Sequence, residues 1–396
     1  MKLTIPPPLS LYIHIPWCVR KCPYCDFNSH QIRNDFSEND YVAALLADLE
    51  QDLPRVWGRT VHSIFIGGGT PSVLSPEAID TLLSGVRSRL PIIANAEITL
   101  EANPGTVDSV RFQEFYEIGI NRLSLGIQSF NESTLQRLGR IHGHIEAIRA
   151  IELAIQAGFN NFNLDLMFGL PIQTVDMALE DLHTALTFNP SHLSWYQLTI
   201  EPNTLFYKHP PLLPDDDLIW EIQKAGQQYL AEQNYFQYEI SAYAKSGHQC
   251  QHNLNYWKFG DYLGIGAGAH AKITDVAQGT TTRYHKQRHP DIYLQSANNP
   301  ITSCTILTAE DIALEFMMNA LRLFEGFTTQ EFTESTSLNL ECIEKPLQKA
   351  YAQGWLISNL EHLKNAQEKS LQEIQRIKTT DNGMRFLNDV LELFVP

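Results

Sequence analysis

Three closely spaced cysteines near the N-terminus carry the most distinctive chemistry in the chain. Cys18, Cys22 and Cys25 end the segment LSLYIHIPWCVRKCPYC, with three residues between the first two and two between the last two. Thiolates bind soft metals and iron–sulfur clusters, and such close spacing lets one loop surround one cluster. Clusters usually take four cysteines, but the next candidate position holds Phe27. Three ligands leave one iron with an open position, as reactive metal centres do, so the spacing predicts a three-cysteine [4Fe–4S] site.

The same loop allows two other interpretations. A zinc site would need a fourth ligand, which His14 or His30 could supply. The cysteines could also be ordinary buried thiols without a metal, because free cysteine is among the most buried residue types. The softness of three thiolates favours the iron–sulfur interpretation over both.

Composition narrows the class of protein. A chain of 396 residues is long for one core and suggests two or three domains, while a formal charge of −16 disfavours nucleic acid and anionic lipid surfaces as partners. The hydrophobic pattern predicts neither a transmembrane segment nor an N-terminal signal peptide. The remaining cysteines, Cys250, Cys304 and Cys342, are scattered. We therefore expect a reducing, cytoplasmic compartment, with membrane contact only peripherally through partners.

Elements that could position the cysteines alternate along the first half of the chain. Near-continuous apolar runs are typical of parallel strands covered on both sides. They alternate with helical patterns, one of which begins at Ser75, while the others span 37–51, 108–118, 144–157 and 174–187. The strand candidates are LSLYIHI (9–15), VHSIFI (61–66), AEITLEA (96–102), RLSLGIQ (122–128), FNLDLMF (162–168) and HLSWYQLTI (192–200). Six βα units in a row predict an α/β fold, a partial (β/α)6 TIM-like barrel that is two units short of a closed one.

Polar residues inside or just after these apolar strands favour a ligand site. Glu101, Gln128 and Asp165 interrupt three strands, and Gly67-Gly68-Gly69-Thr70 follows a fourth. Turn formation alone would explain the glycines, but it explains the carboxylates and the amide less well. The carboxyl ends of barrel strands form the active-site face, so these residues and the cysteine loop should share one site.

The second half divides the chain further. We expect a barrel domain over 1–205 and a barrel extension over 206–299, in which YEISAYA (238–244) is a strand, HNLNYW (252–257) is a loop and 264–270 is a glycine-rich turn. A C-terminal domain should span 300–396. The last segment shows helical patterns at 308–324, 328–336 and 341–353, strand candidates at 355–360 and 374–380, and a final helix to Phe394, which together predict a winged-helix-like module. It holds 8 Lys and Arg against 14 Asp and Glu, and this negative charge disfavours DNA.

With these residues in place, the chain resembles the radical S-adenosylmethionine (SAM) proteins, whose signature is the C-x3-C-x2-C loop. The resemblance is closer to the group related to oxygen-independent coproporphyrinogen III oxidase, and it covers essentially the whole chain. It rests on LSLYIHIPWC, FIGGGTPS, EANPG, LSLGIQSF, LGRIHG, NLDLMFGLP, SWYQLTIEPNT, HNLNYW and the C-terminal module. It implies that SAM chelates the open iron of the cluster and that a glycine turn lies at its amino group. The residues implied to hold SAM are Tyr12, Gly68, Gly69, Thr70, Glu101, Gln128, Arg140 and Asp165.

Two departures separate the chain from the oxidase within that group. The oxidase has a further cysteine where this chain has Phe27, and it has a longer N-terminal extension. The HNxxYW pattern resembles instead the heme-binding motif of heme chaperones, which implies His252 as an iron ligand and Tyr256 and Trp257 as flat faces for the macrocycle. An ordinary polar loop is the plainer interpretation, and Cys250 and His270 are alternative ligands.

The resemblance therefore predicts a heme chaperone that binds heme, a [4Fe–4S] cluster and SAM. Such a protein would receive heme from a donor protein and deliver it to apo-hemoproteins, respiratory ones above all, and it could act as a homodimer. The alternative is oxidative decarboxylation of coproporphyrinogen III by radical SAM chemistry. Whether SAM is consumed, and hence whether the protein is an enzyme, stays open at this point.

Overall fold

The computed structural model describes residues 5–33, 36–106, 108–296, 299–359 and 375–396. Its strands are β1 Leu9–Ile15, β2 Trp17–Cys18, β3 His30–Gln31, β4 Val61–Gly68, β5 Ile92–Ala102, β6 Arg122–Gln128, β7 Phe162–Phe168, β8 His192–Gln197, β9 Phe236–Glu239, β10 Ala242–Ala244, β11 Asp261–Ile265, β12 His270–Asp275, β13 Thr280–Lys286, β14 Ile301–Ile306, β15 Phe327–Thr328, β16 Leu356–Ser358 and β17 Arg376–Thr379. Its α-helices are α1 Glu38–Asp52, α2 Pro76–Arg87, α3 Ser109–Glu117, α4 Glu132–Arg137, α5 His144–Gln156, α6 Val175–Thr187, α7 Leu205–Lys208, α8 Asp216–Glu232, α9 Gln251–Trp257, α10 Pro290–Gln295, α11 Ala309–Ala320, α12 Thr329–Thr336, α13 Glu341–Ala352, α14 Asp381–Arg385 and α15 Leu387–Glu392.

One large sheet organises the first three hundred residues. Its strand order is β14-β13-β12-β11-β1-β4-β5-β6-β7-β8-β10-β9. The predicted strands are its β1 and β4 to β8, which pair in parallel in chain order. Within the described residues the sheet ends at β14 and β9 without closing, so the expected partial barrel is confirmed. Its sixth strand ends at Gln197, three residues earlier than predicted.

A seventh parallel strand was not expected from the sequence. Strand β11 pairs in parallel with β1, with Leu9 opposite Asp261 and Ile13 opposite Ile265. The segment DYLGI is short and runs directly into the glycine-rich turn, so the sequence alone does not indicate a strand there. Because β11 to β14 continue the sheet beyond β1, residues from the second half of the chain come to lie beside the cysteine loop.

The strands are buried because helices cover the sheet. Residues such as Leu11, Ile13, Ile64 and Leu164 are fully buried in one continuous core that extends to Tyr293. The helix predicted from Ser75 begins as expected, since the Ser75 hydroxyl accepts a hydrogen bond from the backbone N–H of Ala78. This core spans the predicted boundary at 205, and the domain limits themselves stay a prediction.

A second, smaller core forms the C-terminal module. Helices α11, α12 and α13 pack with the three-stranded sheet β15-β17-β16, which confirms the winged-helix-like prediction. Strand β15 was not predicted, and the predicted helix to Phe394 is two short helices, α14 and α15. Leu360, the last residue of one predicted strand, lies outside the described residues. In the described parts of the chain, no helix has the length and apolarity that crossing a membrane requires.

Two predictions for the middle of the chain were wrong. Residues 238–244 are two short antiparallel strands, β9 and β10, and not one strand, because a tight turn separates Glu239 from Ala242. The HNLNYW segment is the helix α9 and not a loop. Its aromatic residues and amides hid the helical pattern, and packing against β4 and β11 stabilises a helix that local propensity does not favour.

Candidate functional site

A cavity of about 390 Å³ lies where the carboxyl ends of the central strands meet the cysteine loop. It collects residues that are far apart in the sequence, most of which lie in or just after a strand of the barrel. Its lining includes Cys18, Cys22, Cys25, Gly68, Gly69, Thr70, Glu101, Gln128, Arg140, Asp165 and Tyr196. Every residue expected to hold the cluster or SAM is therefore present here, except Tyr12. We call this the first cavity.

The cysteine loop is held at both of its ends. Strands β2 and β3 pair in parallel, with Trp17 opposite His30, and the Lys21 ammonium donates to the backbone oxygens of Phe27 (3.0 Å) and Ser29 (3.2 Å). Burial raises the pKa of the Cys18 thiol above its usual value. Forming a thiolate here thus needs a nearby positive charge, which iron would supply.

The zinc alternative fits the geometry poorly. Both ring nitrogens of His14 are engaged, Nδ1 with the Tyr12 hydroxyl at 2.9 Å and Nε2 with the Asn28 carbonyl oxygen at 2.9 Å. In the described parts of the chain, no three His, Cys, Asp or Glu side chains converge on a point where one metal ion could bind. Thiolates around a cubane bind different iron atoms and need not converge in this way, so the loop suits a cluster better than a single zinc ion.

The glycine turn after β4 is packed too tightly for any side chain. Gly68 has φ +119°, and a Cβ there would come within 2.5 Å of the His14 ring, while a Cβ on Gly69 would lie 2.5 Å from the Trp17 carbonyl oxygen. The N–H groups donate to Glu101, to the Ile15 oxygen and, from Thr70, to the Trp17 oxygen. The backbone of the turn can thus offer a ligand carbonyl oxygens but no free N–H group, and carbonyl oxygens suit an amino group.

Two carboxyl groups lie on the floor of the first cavity. Burial, with the Asp165 carboxylate nearby, raises the pKa of Glu101 to about 7, although the Gly68 N–H donates to its Oε2 at 3.0 Å. Burial also raises the pKa of Asp165, whose oxygens accept from Ser124 Oγ (3.0 Å) and Asn163 Nδ2 (2.7 Å). Oriented acceptors of this kind suit ribose hydroxyls or a cationic ligand.

Arg140 brings a buried cation to the cysteine loop. Its Nη2 donates to the Gly126 carbonyl oxygen at 2.7 Å and its Nη1 to Cys22 Sγ at 3.4 Å. Its Nε is buried and has no hydrogen-bond partner among the described residues. A buried guanidinium with an unused donor is a ready site for a carboxylate, so the first cavity fits an amino acid-like ligand beside a thiolate-bound group.

Gln128 is held in an uncommon backbone conformation at the end of β6. It has φ 72°, in the left-handed region that non-glycine residues rarely occupy. The Tyr196 hydroxyl donates to its Oε1 at 2.7 Å and leaves the amide NH2 unused by that contact. Such strain is found mostly where a side chain must be aimed at a ligand.

A second and larger cavity, of about 750 Å³, adjoins the first. The two share Phe27, Gly68 and Glu101 as lining residues, and Tyr12 lines the second cavity instead of the first. Phe27 is 62% exposed, which is unusual for a large apolar side chain. Asn28, the next residue, donates to the backbone oxygens of Ala267 and Arg288, both at 2.9 Å, and so ties the cysteine loop to the far wall.

Helix α9 presents only part of the HNxxYW pattern to the second cavity. Tyr256 and Trp257 line it, but His252 does not and is only 1% exposed. The His252 ring bonds to Ser63 Oγ (3.0 Å) and to the Tyr256 hydroxyl (2.8 Å), and burial lowers its pKa to about 3. With both nitrogens engaged, this neutral imidazole supports Tyr256 in the described conformation and is not directed at a ligand.

Sequence reasoning missed several lining residues of the second cavity. His285, Arg283 and Arg288 line it, as does His270, which was named only as an alternative ligand. The available signal was the alternation in TTTRYHK, which places Arg283 and His285 on one face of β13. Cys250, the other alternative, is fully buried outside the cavity lining, and its thiol donates to Glu97 at 3.5 Å.

The partial barrel, the three-cysteine loop and the strand-end residues together define a radical SAM protein. The radical SAM superfamily pattern matches residues 12–185, and the HemN C-terminal domain pattern matches residues 307–368. The solved structure of coproporphyrinogen III oxidase (HemN) from Escherichia coli superposes with a TM-score of 0.80 over 98% of this chain and 90% of that one. At 22% sequence identity this likeness shows the fold alone.

Two relatives show which family within this superfamily the chain resembles. The heme chaperone HemW of Escherichia coli (strain K12) is 53% identical over 389 residues, which are 98% of each chain. The heme chaperone HemW of Haemophilus influenzae is 49% identical over 393 residues, again 98% of each chain. The chain therefore belongs to the heme chaperone HemW family within the radical SAM superfamily. This membership implies a [4Fe–4S] cluster and SAM as cofactors.

Proposed function

We propose that this protein is a heme chaperone that binds heme and passes it to apo-hemoproteins. The observation that carries the proposal is 53% identity along 98% of the chain to a protein named a heme chaperone. The second cavity supports it, since about 750 Å³ with an aromatic wall from Phe27, Tyr256 and Trp257 suits a flat, apolar macrocycle.

The cofactors are assigned to the first cavity. Cys18, Cys22 and Cys25 would hold the cluster, which would supply electron-transfer chemistry to SAM. Arg140 would pair with the SAM carboxylate, because its guanidinium is buried with one donor unused. The glycine turn of Gly68, Gly69 and Thr70 would accept from the amino group. Glu101 and Asp165 would accept from the ribose hydroxyls, with Gln128 at the edge of the same ligand. Tyr12 lines the second cavity and is not assigned to SAM.

The protein's own residues fix the shape of this site. Asn28 anchors the cysteine loop through two backbone oxygens, and Tyr196 orients the Gln128 amide. Because the two cavities share Phe27 and Glu101 as lining residues, the cofactor site and the heme site would lie side by side.

The partners follow from this role. We place the protein in the cytoplasm, where its unpaired cysteines would stay reduced, and we propose that it takes heme from a donor protein. Respiratory hemoproteins are the proposed recipients, and a homodimer is the proposed working form. Coproporphyrinogen III decarboxylation is not favoured, because Phe27 stands where that enzyme has a cysteine and the likeness to its structure is one of fold.

A paired assay tests the function. Anaerobically reconstituted protein is loaded with one equivalent of heme, freed of excess by gel filtration, and mixed with the apo-form of a b-type cytochrome. We expect the recipient's heme spectrum to develop faster than release of heme to a passive scavenger. A second aliquot receives SAM, a reductant and coproporphyrinogen III, and we expect no decarboxylated product. Product formation, or failure to retain heme on the column, would contradict the proposal.

A further inference from the structure

Two histidines in the second cavity have imidazole rings that no other described side chain engages by hydrogen bonding. His270 on β12 and His285 on β13 are directly opposite in the antiparallel pair, and their ring centroids are 3.9 Å apart. Both line the second cavity. In the described parts of the chain, neither ring forms a hydrogen bond or an ion pair, whereas His14 and His252 use both ring nitrogens.

The surroundings keep His270 in the form that binds metals. His270 is exposed as a residue, but partial desolvation of its ring, with His285 and Arg283 beside it, lowers the pKa of His270 to about 4. The ring is therefore neutral near pH 7 and has a free lone pair, as an imidazole ligand of heme iron requires. Its position on a strand of the main sheet gives the ligand a rigid support.

The charged residues of the cavity lining differ in whether they are already paired. Lys272 approaches Asp261 at 3.4 Å, and Arg283 donates to Glu315 at 2.6 Å. Arg288 is exposed and forms no ion pair within the described residues. It is thus free to pair with a carboxylate of a bound ligand, and heme carries two propionates.

The next step rests on the proposed function. We propose that heme binds in the second cavity with His270 as its iron ligand, with His285 next to it as a substitute ligand, and with Arg288 paired to a propionate. Binding forms one iron–nitrogen coordination bond from a neutral imidazole, and it needs neither oxidation nor proton transfer. His252 then acts as a positioning residue that holds the Tyr256 ring against the macrocycle.

Heme titration of the full-length, cluster-reconstituted protein tests the iron ligand. We expect His270→Ala to shift the heme absorption spectrum, because a different ligand or water takes its place. The double variant His270→Ala/His285→Ala should weaken heme affinity by about tenfold or more, a change of roughly 1.4 kcal/mol. His209→Ala removes an exposed histidine outside the cavity lining and serves as the matched control, which should behave like wild type.

His252→Gln distinguishes this inference from the motif-based alternative. We expect it to leave the heme absorption spectrum in place, with circular dichroism and cluster content confirming that the variant folds. If His252→Gln changes the iron spectrum while the double variant retains the wild-type spectrum and affinity, the ligand assignment is overturned and the heme chaperone proposal stands. If wild-type protein binds no heme at all, it is the proposed function that fails.

The propionate contact has its own test. Arg288→Gln should weaken heme binding roughly two- to fivefold, the range for exposed ion pairs. The same variant should bind heme dimethyl ester, which lacks the carboxylate charges, as tightly as wild type does. Arg149→Gln, at an exposed arginine on α5, is the control. An equal loss of affinity for heme and for its ester would exclude the ion pair.

Discussion

The two neighbouring cavities differ in how their polar side chains are held. In the first, Arg140, Gln128 and Asp165 each contact another residue at hydrogen-bonding distance. In the second, the rings of His270 and His285 make no such contacts within the described residues. Fixed groups suit a cofactor that stays in place, because little ordering remains to be done on binding. Unengaged groups suit a cargo that must arrive and leave, since no internal hydrogen bond has to be broken.

The two cavities also differ in which parts of the fold form their walls. The first cavity is built by strand ends of the barrel and by one local loop. The second needs β11, β12 and β13, together with α9, to be placed beyond β1. Phe27, Gly68 and Glu101 belong to both. We therefore expect a substitution outside this shared wall to affect ligand binding in only one of the two cavities.

Replacing a cluster ligand should separate the cavities most strongly. We expect Cys22→Ser to abolish the visible absorbance of thiolate-bound iron, because a three-cysteine site has no spare ligand. Heme binding in the second cavity should persist with its iron spectrum unchanged. Cys304→Ser, at an exposed and isolated cysteine, is the control. Retention of the full cluster absorbance in Cys22→Ser would show that the loop is not the cluster site.

Arg140→Gln should weaken SAM and spare heme. Removing a charged hydrogen-bond donor costs about 1.5–3 kcal/mol, which is roughly a 10- to 150-fold loss of SAM affinity. Isothermal titration of the anaerobically reconstituted protein would measure it. Arg137→Gln, on the exposed face of α4, should have no effect. An equal loss of heme affinity in Arg140→Gln would mean that the cavities do not act separately.

The shared carboxyl group should make stability depend on pH when SAM is absent. The pKa of Glu101 is raised to about 7 from an ordinary 4.5, so the folded state holds its proton more tightly than the unfolded chain. Stability from this group is present below about pH 4.5 and is lost as the pH rises to about 7. Glu101→Gln should thus stabilise the protein at pH 8 by roughly 3 kcal/mol relative to pH 4.5.

Urea unfolding of SAM-free protein at several pH values measures this effect. The comparison of interest is the difference in free energy of unfolding between Glu101→Gln and wild type at each pH. Glu77→Gln, at an exposed carboxyl group in the first turn of α2, provides the reference. A difference that shrinks as the pH rises would have the wrong sign and would argue that Glu101 is ionised throughout.

Phe27→Ala should give the smallest effect and the one most specific to the second cavity. Loss of one aromatic contact is worth about 0.5–1.5 kcal/mol, or roughly a two- to twelvefold weaker heme affinity. Cluster content and SAM affinity should not change. Phe236→Ala is a matched control, because Phe236 is 57% exposed against 62% for Phe27 and lies at the far edge of the sheet. Loss of the cluster in Phe27→Ala would instead assign this residue to the loop.

Much of the first cavity follows from sequence because its geometry is local or topological. Three cysteines on one loop are neighbours whatever the fold, and parallel strands in succession bring their carboxyl ends to one face. Polar residues within or at the ends of those strands, such as Glu101, Gln128 and Asp165, then lie near one another. The packing reason for Gly68 and Gly69 and the buried setting of Arg140 came only from the structure.

The second cavity depended on tertiary structure for two physical reasons. Its walls join residues more than two hundred positions apart, and β11 beside β1 is a pairing that no local pattern of DYLGI specifies. The rotation of α9 then decides that Tyr256 and Trp257 face the cavity while His252 is buried behind them. The sequence by itself determined the cofactor loop and the barrel; long-range pairing and helix rotation decided which histidines face the cargo.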